Sequence, residues 1–302
     1  MHQLISRAEP NAVALETTLL LHGVPKAAAP GLAADLAADV RQAGGSPALV
    51  GVINGAPTVG INADELQTLL DAGDVAKANT GNLGVLLHRC AHAATTVSTT
   101  MELAAGAGVR IFATGGLGGV HKDYGAQLDI SADLAAFARF PVAVVTAGVK
   151  SLLDIQATRE ALETLGVPVV GYQTDDFPAF YRRSTDTSPR VGVDARFDDT
   201  AELASYVAAE LARTGRGVVI ANPIPPEHEL DQGHLALWLQ AAEARATEAG
   251  ATGRGVTPAI LSALHEVSAG KTLEANIALV RANARLAGTL AQRLSDLCED
   301  PA

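Results

Sequence analysis

The sequence predicts an α/β fold in a single domain, with a central mostly parallel sheet flanked by helices and a helix-rich C-terminal third. Three observations lead to this prediction. Short apolar runs alternate with helical patterns through the first two thirds of the 302 residues. Helical patterns dominate after Thr200. The hydrophobic content of 48% and the even composition favour one large core over several small ones.

The predicted strands are short, apolar and bounded by turn residues, as is typical of strands buried on both faces of a parallel sheet. They span residues 12–21, 48–53, 110–114, 142–146, 167–171 and 217–221.

The predicted helices occupy the segments between and after these strands. The first, 32–42, has apolar residues at helical spacing and is followed by two glycines. The segment 154–165 follows Ser151, whose spacing to Asp154 resembles a capping box, and ends at Gly166. The C-terminal helices are predicted at 201–213, 234–249, 258–267 and 273–293.

The stretch 173–200 is the longest segment without a regular pattern. It is polar and rich in turn residues, yet it carries Phe177, Phe180 and Tyr181 next to two arginines. We expect either a lid or subunit-contact loop, or an irregular surface loop.

Composition excludes several functional classes. The net charge of -11 argues against a polymeric nucleic acid or an anionic membrane as the main partner, because both require a basic face. Cys90 and Cys298 lie far apart and lack further ligands at metal-binding spacing, so neither a disulfide framework nor a zinc site is indicated. With no signal-peptide pattern or long apolar run, we expect a cytoplasmic protein.

Two charged residues occur where the sequence is otherwise apolar. Lys150 ends the apolar run 141–149, at the carboxyl end of a predicted parallel strand, where ligands collect in α/β folds. It is either a nucleophile or a lysine that extends to water. Glu16 lies inside the first predicted strand. It is either a proton carrier or a carboxylate on a solvated face of that strand.

Further polar residues follow other predicted strands. Lys77 precedes a predicted helix and could meet a ligand phosphate, or be solvated. The glycine-rich segment 115–121 can bring backbone N–H groups close to an anion, although it matches neither a dinucleotide fingerprint nor a Walker motif. Asp129 and Asp133, with Ser131 between them, offer either a hard-cation ligand and a substrate contact or a helix N-cap.

Taken together, ten separated motifs resemble the pseudouridine-5'-phosphate glycosidase family over nearly the whole chain. In order they are ALETT at 14–18, HGVP at 22–25, GVING at 51–55, TTV at 95–97, GGLGGVH at 115–121, DISADL at 129–134, AGVKSLLDI at 147–155, TDDFPAFY at 174–181, ANPIP at 221–225 and ANIALV at 275–280.

The resemblance implies a lyase-type C-glycosidase that cleaves the carbon–carbon bond between uracil and ribose 5-phosphate, with a divalent metal, usually manganese, in a homotrimer. Lys150 corresponds to the nucleophile, Glu16 to the proton donor and Asp129 to the metal ligand. The remaining matched positions are expected to line the sugar phosphate or the base: Lys77, Val97, His121, Ser131, Ala132, Asp133 and Asn276.

The chain departs from the family pattern after Lys77. A Ser-Arg-Arg-Asp-like stretch is usual there, whereas this chain has Ala-Asn-Thr-Gly-Asn at 78–82, which removes two cations and a carboxylate. The sequence therefore leaves two alternatives to the glycosidase. One is a C-glycosynthase that joins ribose 5-phosphate to an aromatic, polyketide-type acceptor, and the other is a catalytically silent sugar-phosphate sensor.

Overall fold

The computed structural model describes residues 3–122, 125, 128–185, 190–250 and 256–299. Within these residues, eleven strands form one sheet and two more form a small antiparallel pair. The strands are β1 Ile5–Ser6, β2 Ala12–Glu16, β3 Ser46–Ile53, β4 Ala56–Val59, β5 Ala76–Ala78, β6 Ala93–Thr95, β7 Ile111–Ala113, β8 Val120–His121, β9 Ala143–Thr146, β10 Leu153–Asp154, β11 Val169–Tyr172, β12 Ala195–Phe197 and β13 Val218–Ala221.

The main sheet is mostly parallel and runs in the order β1-β4-β3-β2-β7-β9-β13-β11-β12, with β6 on β3 and β5 on β6. Only the pairings of β3 with β4 and with β6 are antiparallel. In the central register Leu15 lies opposite Ala113, and Ala113 lies opposite Val145. The carboxyl ends of β2, β7 and β9 therefore meet at one edge of the sheet, where ligands bind in α/β folds.

Helices cover the sheet and form the C-terminal layer. They are α1 Thr18–His22, α2 Ala29–Gln42, α3 Ala63–Asp71, α4 Leu83–His88, α5 Val97–Gly106, α6 Ala132–Phe137, α7 Ile155–Thr164, α8 Thr200–Thr214, α9 Gln232–Glu248, α10 Val256–Val267 and α11 Lys271–Glu299. No helix in the described ranges is long and apolar enough to cross a membrane.

The long helix α11 packs on α2, α8 and strand β7. Asp39 of α2 is 2% exposed, and its carboxylate accepts hydrogen bonds from Arg281 Nε at 2.6 Å and Arg285 Nε at 3.0 Å. A buried charge is tolerated when it is paired in this way. This contact joins the last helix to the first half of the chain within one domain.

The predicted fold class is confirmed, while two local predictions are wrong. The strand predicted at 12–21 ends at Glu16, because the chain turns at Thr17 and continues as α1. The apolar run after Glu16 fits a strand or a buried helix equally well by periodicity alone. The cap predicted at Ser151 is instead Asp154, which accepts a hydrogen bond from the Ala157 N–H at 2.9 Å, whereas the Ser151 hydroxyl donates to the Ala179 carbonyl.

The described part of the stretch 173–200 is mostly irregular in backbone but partly buried. It contains β12, and the aromatic rings of Phe177, Phe180 and Tyr181 are buried. Residues 186–189 lie outside the described residues. The role of this stretch as a lid or subunit contact stays a prediction.

Candidate active site

A cleft of about 430 Å³ lies at the carboxyl ends of the central strands. Its lining mixes charged, polar and apolar residues and comes from several strand ends and helix starts. The residues are Glu16, Thr18, Lys77, Asn79, Thr96, Val97, Gly118, Gly119, His121, Asp129, Ile130, Ser131, Ala132, Asp133, Lys150 and Leu153.

Glu16, the last residue of β2, is 8% exposed. Its Oε1 accepts a hydrogen bond from the hydroxyl of Thr114, which follows β7. Burial raises the pKa of Glu16, and the nearby Lys150 ammonium and the Thr114 hydroxyl only partly oppose that effect. The site therefore favours a protonated carboxyl group that can donate its proton.

Lys150 follows β9 after a tight turn at Gly148. Gly148 has a φ of +85°, and a Cβ there would lie 1.8 Å from the Pro178 carbonyl oxygen, so no other residue fits. The Lys150 N–H donates to the Leu117 carbonyl at 3.2 Å, and the Lys150 carbonyl accepts from the Leu153 N–H at 2.9 Å. These bonds hold the main chain on both sides while the side chain lines the cleft.

Lys77 lies in β5, half-buried on the wall of the cleft. Burial and the charge of Lys150 lower the pKa of Lys77 to about 8, against the opposing pull of Glu16 and Asp133. At pH 7 about one Lys77 side chain in ten is then neutral. A mainly cationic Lys77 can pair with an anionic ligand.

Residues 78–82, which depart from the family pattern, form a hydrogen-bonded turn that fixes the main chain at Lys77. Asn79 Oδ1 accepts from the N–H groups of Gly81 at 3.0 Å and Asn82 at 3.1 Å, and Asn82 Nδ2 donates to the Lys77 carbonyl at 3.0 Å. The amide side chains thus order this turn without the charged groups that are usual there.

Asp133 links the glycine-rich segment to the start of α5. It is 5% exposed, and its two carboxylate oxygens accept from the backbone N–H groups of Ser98 at 3.0 Å and Gly118 at 2.9 Å. A Cβ at position 118 would lie 2.3 Å from Ser131 Oγ, so the close approach requires glycine. Ser131 itself caps α6 by accepting from the Asp133 N–H.

Replacing Asp133 with asparagine should destabilise the protein. The NH₂ group of the new side chain would face the N–H of either Ser98 or Gly118, and that donor would lose its acceptor. We expect a loss of about 1–3 kcal/mol in the free energy of unfolding, measured by urea denaturation. Asp74→Asn, at an exposed position between α3 and β5, is the matched control. Equal stability of the Asp133 variant and this control would contradict the assigned role.

His121 and Asp129 lie at the exposed mouth of the cleft. His121 Nε2 is 3.7 Å from Asp129 Oδ2, and the His121 N–H donates to the Asp129 carbonyl at 3.1 Å. More than half of the Asp129 side chain is exposed. An exposed carboxylate beside an imidazole can meet a cation or a charged substrate group.

A second, smaller chamber adjoins the cleft and shares Glu16, Thr18, Lys77 and Lys150 with it. Three buried polar atoms of this chamber have no hydrogen-bond partner among the described residues. They are Thr18 Oγ1, His22 Nε2 and Asn276 Oδ1. The apolar part of its wall comes from Leu19, Phe180 and Leu261.

All the residues predicted as site residues line one of these two spaces, although their individual roles stay predictions. Asn276 lies in the smaller chamber and the others in the cleft. Thr18, Thr96 and Leu261 also line the site and were not predicted. Thr18 was missed because the incorrect strand boundary placed it inside a strand. No local pattern marks Leu261, which comes from α10.

Comparison with known proteins places this site in context. The family model described as indigoidine synthase A like protein matches residues 3–293. A pseudouridine-5'-phosphate glycosidase of Nocardioides sp. is 44% identical over 94% of this chain and 92% of its own length. The protein of the same name from Geobacillus kaustophilus is 45% identical over 94% and 93%.

A solved structure has the same fold. It is the prealnumycin C-glycosynthase AlnA in complex with ribulose 5-phosphate, which is 31% identical, with a TM-score of 0.87 over 99% of both chains.

Proposed function

This chain belongs to the indigoidine synthase A like family, and we propose that it cleaves the carbon–carbon glycosidic bond of pseudouridine 5'-phosphate to uracil and ribose 5-phosphate. One observation carries the proposal. Glu16, Lys77 and Lys150 line both the cleft and the smaller chamber. A substrate with its sugar phosphate in the cleft and its base in the chamber would present its glycosidic carbon to these three side chains.

The substrate's chemistry explains why a lysine and a buried acid are needed. A C-glycoside has no leaving oxygen on the base to protonate, so the two-carboxylate route of ordinary glycosidases does not apply. Capture of the anomeric carbon by an amine provides an electron sink for the departing base. Lys150 supplies the amine and Glu16 the proton.

The bonds change in three steps. The neutral Lys150 amine forms a bond to C1' as the ring C1'–O4' bond breaks, and the proton that the new ammonium group loses is taken up by O4'. Uracil C5 is then protonated and the C1'–C5 bond breaks. Its electron pair returns to the uracil ring while the nitrogen lone pair forms the iminium bond. Water hydrolyses this Schiff base, which releases ribose 5-phosphate and restores Lys150.

The phosphate would lie near Lys77 and the start of α5. Thr96 precedes this helix and makes no side-chain cap, and Thr96 and Val97 both line the cleft. A helix N-terminus favours an anion, and in the first turn of α5 the Ser98 N–H is already bonded to Asp133. The cationic form of Lys77 adds a charge of the required sign.

We also propose a divalent cation, manganese, at Asp129. A hard cation prefers carboxylate oxygen, and Asp129 offers one beside the cleft. Within the described residues no three His, Cys, Asp or Glu side chains converge to enclose a metal ion, so water and substrate would supply the other ligands. The bound cation would offset the phosphate charge. We further propose that the protein is a homotrimer in the cytoplasm, which the family resemblance supports.

A C-glycosynthase is the second candidate, favoured by the similarity to AlnA. The smaller chamber has a volume of only about 40 Å³ and is bounded by Phe180 and Leu261. Such a space disfavours a fused aromatic acceptor, and a single-ring base would fill it and extend into the cleft at Glu16.

The test incubates the pure protein and manganese with pseudouridine 5'-phosphate and quantifies uracil and ribose 5-phosphate by chromatography. We expect both products in equal amounts, and none from uridine 5'-phosphate, whose base is linked through nitrogen. No turnover together with a trapped lysine adduct of ribose 5-phosphate would favour the synthase. Neither turnover nor adduct would indicate the silent sensor.

A further inference from the structure

His22 is a polar residue of the smaller chamber for which the reaction scheme above has no role. It is the last residue of α1, and its ring is half-buried. Its Nε2 is buried and, within the described part of the chain, has no hydrogen-bond partner. A buried polar atom without a partner costs stability, so its presence in a ligand chamber suggests that a ligand supplies the partner.

The protonation of the ring determines which partner fits. The backbone of Val75 hydrogen-bonds to the imidazole, and since Nε2 has no partner, we assign the ring proton to Nδ1. Burial and the charge of Lys77 lower the pKa of His22, so the ring is neutral near pH 7. Nε2 therefore carries a lone pair and accepts hydrogen bonds from a ligand.

The other unpartnered atoms of the chamber match the same kind of ligand. Asn276 Oδ1 is an acceptor, and the Thr18 hydroxyl can donate or accept. A uracil linked through carbon keeps both of its ring N–H donors, whereas a base linked through nitrogen keeps only one. A chamber with two acceptors, His22 Nε2 and Asn276 Oδ1, therefore suits a C-linked base, which offers two ring N–H donors.

We propose that His22 is a specificity-determining residue whose Nε2 accepts a hydrogen bond from a ring N–H of the base. The inference rests on the proposed function, because it concerns the base that this reaction releases. It adds to that function a residue that selects the base without handling the sugar.

The experiment compares the wild type with two variants. His22→Phe keeps a ring but removes the lone pair, and His22→Gln restores an acceptor near the Nε2 position. Each is assayed with pseudouridine 5'-phosphate and with its N1-methyl and N3-methyl derivatives. His88→Phe, at an exposed histidine of α4, controls for the general effect of replacing a histidine with phenylalanine.

We expect methylation of one of the two nitrogens to lower wild-type kcat/KM about tenfold or more, and His22→Phe to lower kcat/KM for the unmethylated substrate by a similar factor. In His22→Phe the penalty for that methyl group should shrink to under about threefold, because the hydrogen bond is already absent. His22→Gln should recover part of the activity. Borohydride trapping of ribose 5-phosphate should be unchanged in both variants.

An unchanged methyl penalty in His22→Phe would overturn the role of His22 while leaving the glycosidase function intact. Loss of ribose 5-phosphate trapping in both variants would also overturn it, since His22 would then act on the sugar or on the fold. Absence of uracil release by the wild type would instead refute the proposed function, and the inference with it.

Discussion

Replacement of Lys150 with alanine is expected to abolish uracil release, lowering kcat by at least about 10⁴-fold. The reason is that no covalent intermediate can form without the amine, and the C-glycosidic bond has no easier route to cleavage. Lys150→Arg should be equally inactive, because an arginine keeps the charge but cannot form the Schiff base. Steady-state assays with pseudouridine 5'-phosphate measure the effect.

The site of covalent attachment gives an independent measurement. Borohydride reduction in the presence of ribose 5-phosphate, followed by peptide mass mapping, should label Lys150 in the wild type and no lysine in Lys150→Ala. Lys26→Ala is the control, since that side chain is mostly exposed. A label on Lys77, whose pKa of about 8 also makes it a possible nucleophile, would reverse the roles of the two lysines.

Replacement of Glu16 with glutamine should lower kcat about 10²- to 10⁴-fold, the usual contribution of a general acid or base. The variant keeps a hydrogen-bonding group at this position next to Thr114 but has no acidic proton for uracil C5. Ribose 5-phosphate trapping at Lys150 should persist in Glu16→Gln. Loss of trapping with otherwise normal folding would show that Glu16 acts on the sugar step instead.

The same variant should change how stability depends on pH. The pKa of Glu16 is raised on folding, so the folded protein holds a proton that the unfolded chain releases. The favourable contribution of this carboxyl is complete below about pH 4.3 and declines as the pH rises through the raised pKa. Glu16→Gln should therefore gain stability relative to the wild type as the pH increases.

Urea unfolding at pH 5 and pH 8 tests this sign. The unfolding free energy of Glu16→Gln minus that of the wild type should be larger at pH 8 than at pH 5. Glu248→Gln, at an exposed position of α9, should show no such trend. A trend of the opposite sign would mean that the Glu16 carboxyl is stabilised in its ionised form.

Much of the fold was predictable because strand and helix patterns are local. Two of the strands that lead into the site, β7 and β9, lie within one residue of their predicted limits, since continuous apolar runs mark buried strands. The boundary error after Glu16 has the same origin, because an apolar run also fits a buried helix. The two charged residues Glu16 and Lys150 stood out for a related reason, as each is a charge in an apolar context.

The sequence by itself determined the α/β class, the family resemblance and the set of residues that gather at the carboxyl ends of the strands. Only the tertiary structure decided that these residues divide between a cleft and a chamber with Glu16, Lys77 and Lys150 at their junction. It also decided that His22 and Asn276, from helices at opposite ends of the chain, share the chamber. The physical reason is that burial, lowered or raised pKa values and unpaired polar atoms depend on neighbours far apart in sequence, which no local pattern records.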